Sequence, residues 1–152
     1  MIDTGEMIAQ TIQLALAPVF VLVAIGSIMN ILSTRLGRIV DRSRELQRLH
    51  AETEGSAHDI VVREIRSVAV RMVLVQRALR ALVMASLIIG ITVVLLFLAE
   101  FAHLSLNVVA AATFICAIAL LMWALLLFLR ETRAAAAALV VPESFLERDR
   151  DL

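Results

Sequence analysis

The feature that most narrows the possible folds is a mirrored pattern about Gly55 and Ser56. Leu36 mirrors Val75, Ile39 mirrors Met72, Ser43 mirrors Val68, Leu46 mirrors Ile65 and His50 mirrors Val61. Each run advances by alternating threes and fours, the heptad spacing that keeps one seam of a helix turned to a partner. Read forward on one side and backward on the other, the runs predict an antiparallel coiled-coil hairpin. Gly55-Ser56 is its expected turn, and Ser56 or Asp59 the expected cap of the returning helix. The mirror extends through Leu32 with Leu79, Met29 with Leu82 and Ile25 with Ser86, so the same two helices run on into apolar sequence.

No charged residue occurs in Met7–Thr34, Ala81–Ala99 or Leu104–Leu129, and roughly 20 apolar residues suffice for a helix to cross the hydrocarbon of a bilayer. At 61% hydrophobic, the chain is too apolar for a soluble domain of its length. The expected fold class is an all-α membrane protein forming a single membrane domain over residues 1–152. Its transmembrane helices fall at about 8–33, 81–99 and 104–129, with a helical hairpin over 34–80 and a tail over 130–152. Pro18 should remove one backbone hydrogen bond from the first span and kink it. The third helix should continue through the alanines after Arg133 until Pro142 stops it. Asp3 and Glu6 stand where a signal peptide would be cationic, so the first apolar segment is expected to be retained.

All 14 basic residues are arginines, and those at 35, 38, 42, 44, 48, 63, 66, 71, 77 and 80 fall in or beside the hairpin. Basic segments stay on the cytoplasmic side, which predicts a cytoplasmic hairpin and tail. The N-terminus and the short link with Glu100 and His103 are then outside. The two flanks of the seam differ. Arg35, Arg42 and Arg71 occupy one, whereas Ser33, Val40, Gln47, Val62, Ala69 and Gln76 leave the other uncharged. A two-helix stalk alone in water would carry charge on both flanks. The uncharged one is therefore expected to be buried against a second copy or the third helix, with Val40, Gln47, Val62, Ala69 and Gln76 as the oligomer interface. Gly26, Asn30, Ser33 and Gly37 form a stripe of small and polar residues, with Gly90 on the corresponding flank of the second span. Such a stripe serves close helix packing or lines a wetted pore.

Arg35, Arg38, Arg42, Arg71, Arg77 and Arg80 are candidates for contact with anionic lipid or another anion, because guanidinium forks match phosphate. Asp41 beside Arg38 or Arg44, and Glu45 beside Arg48 or the arginines neighbouring Asp41, read as solvated ion pairs on a helix face. His50 and His58 flank the turn with no ligand set around them, so neither metal nor cofactor is expected. Cys116 has no thiol companion and should pack as a small apolar residue. Glu100 with His103 marks a membrane boundary. No P-loop, HExxH or nucleophile-elbow motif occurs, so no catalysis is expected, and nothing points to nucleic acid.

The run Leu32-Ser33-Thr34-Arg35-Leu36-Gly37-Arg38-Ile39-Val40-Asp41-Arg42-Ser43-Arg44, following Ala17-Pro18-Val19-Phe20, resembles a bacterial membrane family known as domain of unknown function 2721. The resemblance extends from Ile8 to about Arg133. It implies a three-span protein of the bacterial inner membrane, and no activity or site residue. Two classes of function fit these residues. One is a homo-oligomer whose axis conducts ions or small solutes. The other is a structural or adaptor protein whose stalk binds a cytoplasmic partner or anionic lipid, and membrane lipids are partners in both. A pump is disfavoured, because no ionisable group lies at mid-membrane.

Overall fold

The computed structural model describes residues 4–102 and 105–137, with side chains from Ile12 onward. Three helices account for nearly all of them: α1 (Thr4–Glu52), α2 (Gly55–Phe101) and α3 (Asn107–Ala137). Their length follows from the scarcity of breakers, since the only prolines are Pro18 and Pro142. Helix α1 runs through Pro18 without interruption, because one missing hydrogen bond is a small loss in so long a ladder. All three helices are long and apolar enough to cross a membrane, which gives the chain a multi-pass membrane architecture. His103, Pro142 and the tail beyond Ala137 lie outside the described residues.

Thr53 and Glu54 alone separate α1 from α2, and Gly55 has φ 63. A glycine takes that left-handed backbone at little cost, whereas a side chain would be strained. Glu54 is the N-cap, extended and without a side-chain cap bond. The turn is held instead by the Thr53 hydroxyl, which donates to the Leu49 carbonyl at 2.8 Å, and by His58 Nδ1, 3.1 Å from the Thr53 carbonyl. The reversal therefore comes before Gly55-Ser56, and Ser56 and Asp59 lie inside α2 rather than capping it. The left-handed glycine draws the helix start to itself.

Burial repeats every seven residues on all three helices. On α1 the line is Ile25, Leu32, Ile39 and Leu46; on α2 it is Val61, Val68, Val75, Leu82 and Ile89. On α3 it is Ala110, Ala117, Ala124 and Glu131. Two helical turns take close to seven residues, so each line stays turned inward along the helix. Of the other mirrored positions, Leu36, Ser43, Ile65 and Met72 are only half-buried and His50 is exposed. The inward face of α2 is shared, because α1 packs along one side of it and α3 along the other. Helices α1 and α2 run antiparallel, with Arg42 against Glu64 and the His50 and His58 rings 4.3 Å apart at the tip.

The α2–α3 interface is built from alanine. Ala78, Ala81 and Ala85 on α2 and Ala110, Ala117 and Ala124 on α3 are all buried. Small side chains let backbones approach, and association inside lipid depends on such packing together with interhelical hydrogen bonds. One such bond lies within the membrane segment. The buried Thr92 hydroxyl is 2.9 Å from that of Thr113, which in turn donates to the Ala110 carbonyl. The glycine stripe has no such role among the described residues, where a Cβ added at Gly26, Gly37 or Gly90 would meet nothing within 4 Å. Cys116 is exposed on α3 rather than packed between helices.

Candidate functional site

Where α3 leaves the uncharged stretch, Glu131 continues the buried line of Ala110, Ala117 and Ala124, and it is 0% exposed. A carboxylate without water needs compensating charge. Arg71 of α2 supplies it through an Nε–H donated to Oε1 at 3.0 Å, and Arg35 of α1 through Nη2, 2.7 Å from Oε2. The Arg35 contact is an ion pair without the alignment of a hydrogen bond, so Oε2 remains a buried acceptor with open capacity. The Arg35 guanidinium also sits 5.3 Å from the centre of the Phe128 ring, in cation–π range. One residue of the third helix thus ties both arms of the hairpin.

Beside this tie, Arg35, Arg38, Ile39, Arg42, Val68, Arg71 and Ala135 line a cleft of about 370 Å³. It adjoins a wider groove with Arg63, Glu64, Ser67 and Ala134, to which Arg42 and Arg71 also contribute. Arg42 is held by Glu45 through Nη1 at 2.7 Å and by Glu64 through Nε at 2.7 Å. Those hydrogen bonds, with Glu45 the stronger influence, push its pKa further up. The ion pairs expected of Asp41 with Arg38 or Arg44 do not form, and Glu45, of its expected partners, takes an arginine beside Asp41 rather than Arg48. Glu45 turns to Arg42, which stands at the edge of the seam within reach of Glu64. Among the described residues, Arg38 makes no hydrogen bond or ion pair with a side chain.

Two ties fix the heights of the helices against one another: Arg35 and Arg71 at Glu131, and Thr92 at Thr113. Counting along the helices between them sets Arg80 level with the exposed Trp123, and Arg77 level with Asn30. From Arg80 to Glu100 the helix is about 30 Å long at 1.5 Å per residue, the thickness of the hydrocarbon. Trp123 and Arg80 then stand at its boundary, as interfacial tryptophan and snorkelling arginine do. The uncharged run Met7–Thr34 is about 40 Å long, close to a whole bilayer with its headgroups. The Arg35–Glu131–Arg71 layer lies a further eight to nine residues along α3 and α2, about 12–14 Å beyond Trp123 and Arg80.

Of the arginines singled out in the sequence, 35, 38, 42 and 71 converge on the cleft. Arg77 borders a shallow apolar groove with Ala69, Val70, Val73 and Leu74 instead, and Arg80 is exposed. Gly26, Asn30, Ser33 and Gly37 are all exposed, as are Gln47, Ala69 and Gln76, while Val40 and Val62 are half-buried. Helix α3 therefore covers the arginine flank and leaves the uncharged flank open. Arg35 and Gly37 are two residues apart and face opposite ways, about 160° by helical geometry, so Arg35 turns away from the stripe. Sequence reasoning passed over Glu131, although its place fourteen residues after Ala117 puts it on the line of buried alanines.

No curated protein and no solved structure matches the chain. Residues 15–141, which include all three helices' packed segments and every residue of the cleft, match one family over most of the sequence. The chain belongs to that family, described as a protein of unknown function (DUF2721).

Proposed function

We propose that the protein is a homo-oligomeric membrane scaffold in which copies meet along the uncharged flank and project their helical hairpins into the cytoplasm. The observation that carries this reading is the position of α3. It occupies the arginine flank, so nothing among the described residues covers Ser33, Gln47, Ala69 and Gln76, and Asn30 stands exposed in an apolar segment. An asparagine amide in or near lipid gains from a partner across a helix interface. A second copy supplies one by symmetry, since an isologous contact needs only a self-complementary patch.

The glycines make this testable without disturbing the protomer. Gly26→Leu and Gly37→Leu enter open space, and exposed helical glycines replaced by leucine gain up to about 1 kcal/mol of helix propensity. The protomer should fold as well as before, whereas close-packed copies should separate. Val40→Glu with Val62→Glu should also dissociate the assembly, because each contact would bury like charges. Native mass spectrometry in mild detergent reads both, and a monomeric wild type would end the proposal.

The orientation follows from the arginines. With Cys116→Ser as background, Ser105→Cys should react with an impermeant maleimide from outside intact cells and Ser56→Cys only after lysis. Labelling of Ser56→Cys from outside would invert the topology.

A second reading draws on the polarity of Asn30 and Ser33. If oligomerisation encloses an axis along the stripe, those side chains would wet it and ions or small solutes would pass. Asn30→Leu should then reduce flux through protein in liposomes. Flux no greater than that of empty liposomes at every voltage, tension and pH leaves the scaffold alone.

A further inference from the structure

We propose that the cleft between the hairpin and the end of α3 is a binding site for the phosphate of an anionic phospholipid, with Arg38, Arg71 and Arg35 as its donors. Glu131 leaves donors of its two arginines unused. It engages Arg71 through Nε and Arg35 through Nη2. A guanidinium has five N–H donors in a planar fork. Both terminal nitrogens of Arg71 and the Nη1 edge of Arg35 therefore remain for a second acceptor. Arg38 lines the same cleft with no side-chain partner among the described residues. Two of the three guanidinium groups share one fully buried carboxylate, and the third has none.

Arg42 is not part of the donor set. Glu45 and Glu64 already hold it, and its role is to keep those carboxylates off the other arginines. Phosphate is the acceptor that suits the remainder, because its several oxygens accept from forks in different planes. The source is inferred from the cleft's place and walls. Arg35 directly follows the uncharged run Met7–Thr34, arginine side chains snorkel towards headgroups, and Val68, Ile39 and Ala135 give the cleft apolar walls on which a glycerol backbone can rest. A zwitterionic lipid would bring a quaternary ammonium towards the arginines, so the site should prefer a headgroup without one.

The test uses the full chain in neutral detergent, titrated with dioleoylphosphatidylglycerol or dioleoylphosphatidylcholine and read per protomer by native mass spectrometry. It is therefore independent of whether copies associate. Phosphatidylglycerol should bind about tenfold more tightly than phosphatidylcholine, and Arg38→Gln should weaken it about tenfold, the order of one charge-assisted hydrogen bond. Among the described residues Arg38 has no side-chain partner to lose, so their packing is spared. Ala135→Phe should block binding by filling the cleft without altering a charge. Arg44→Gln, exposed on α1 outside the cleft, should change nothing. Equal losses for Arg38→Gln and Arg44→Gln would overturn the site in favour of a diffuse arginine collar. Displacement of the lipid by inorganic phosphate at comparable concentration would overturn the lipid as its source.

Discussion

Glu131→Ala is expected to lower the stability of the protein by about 3 kcal/mol, the low end of what removing one partner from a buried ion pair costs. The low end applies because only the carboxylate is fully enclosed. The Arg35 and Arg71 side chains keep 34% and 24% of their exposure, so water relieves part of their repulsion once Glu131 is gone. Equilibrium unfolding in mixed micelles reads the loss, and Trp123, the one tryptophan and part of α3, reports it by fluorescence. Glu131→Gln should fall between, keeping a hydrogen-bond acceptor for Arg71 while losing the charge. The triple replacement Arg35→Met, Arg71→Met and Glu131→Met should recover most of the deficit, since a buried charge cluster exchanged whole for apolar side chains is often neutral. An unchanged midpoint for Glu131→Ala would mean that the tie contributes nothing. Failure of the triple variant to recover would mean that the carboxylate does more than neutralise its neighbours.

The three helices were legible because the signals for them compete with nothing. Met7–Thr34, Ala81–Ala99 and Leu104–Leu129 carry no charge at all, and Pro18 is the one proline within them. The hairpin was legible as a mirror, but its turn was misplaced. Alternating threes and fours fix which faces meet, and fix less well the height at which they meet. That height depends on where the left-handed backbone falls, here at Gly55 with Thr53 and Glu54 before it. The arginine flank was also readable, and four of the six arginines chosen from it do share a cleft.

Glu131 was lost for a different reason. Between Arg130 and Arg133 it reads as one more charge at a helix end, and only the spacing from Ala110, Ala117 and Ala124 shows that it points inward. The same oversight hid the alanine interface. Glycines attract attention as close-packing residues, yet here Gly26 and Gly37 meet no neighbour among the described residues. Alanine, at a helical cost near zero, does the packing between α2 and α3.

Ala117→Leu should therefore be the most damaging single apolar substitution within the membrane segments. Ala117 is 0% exposed on the α3 line of buried alanines, and three added carbons have no space to enter without parting the helices. Overpacking a well-filled interior costs about 1–3 kcal/mol. The upper end is expected here, because the same displacement would stretch the Thr92–Thr113 contact, 2.9 Å long, and draw Glu131 away from its arginines. Ala112→Leu, on the exposed face of α3, is the matched control and should be close to neutral. A second readout separates local from global effects. In a Cys116→Ser background, Thr92→Cys with Thr113→Cys should form a disulfide rapidly, since the hydroxyls they replace nearly touch. Adding Ala117→Leu should slow that closure at least about tenfold, equivalent to about 1.4 kcal/mol against the closed geometry, while Ala112→Leu leaves the rate alone. Equal rates in the two backgrounds would show that α3 is not held to α2 through its alanines, and the cleft beside Glu131 would then rest on the charges alone.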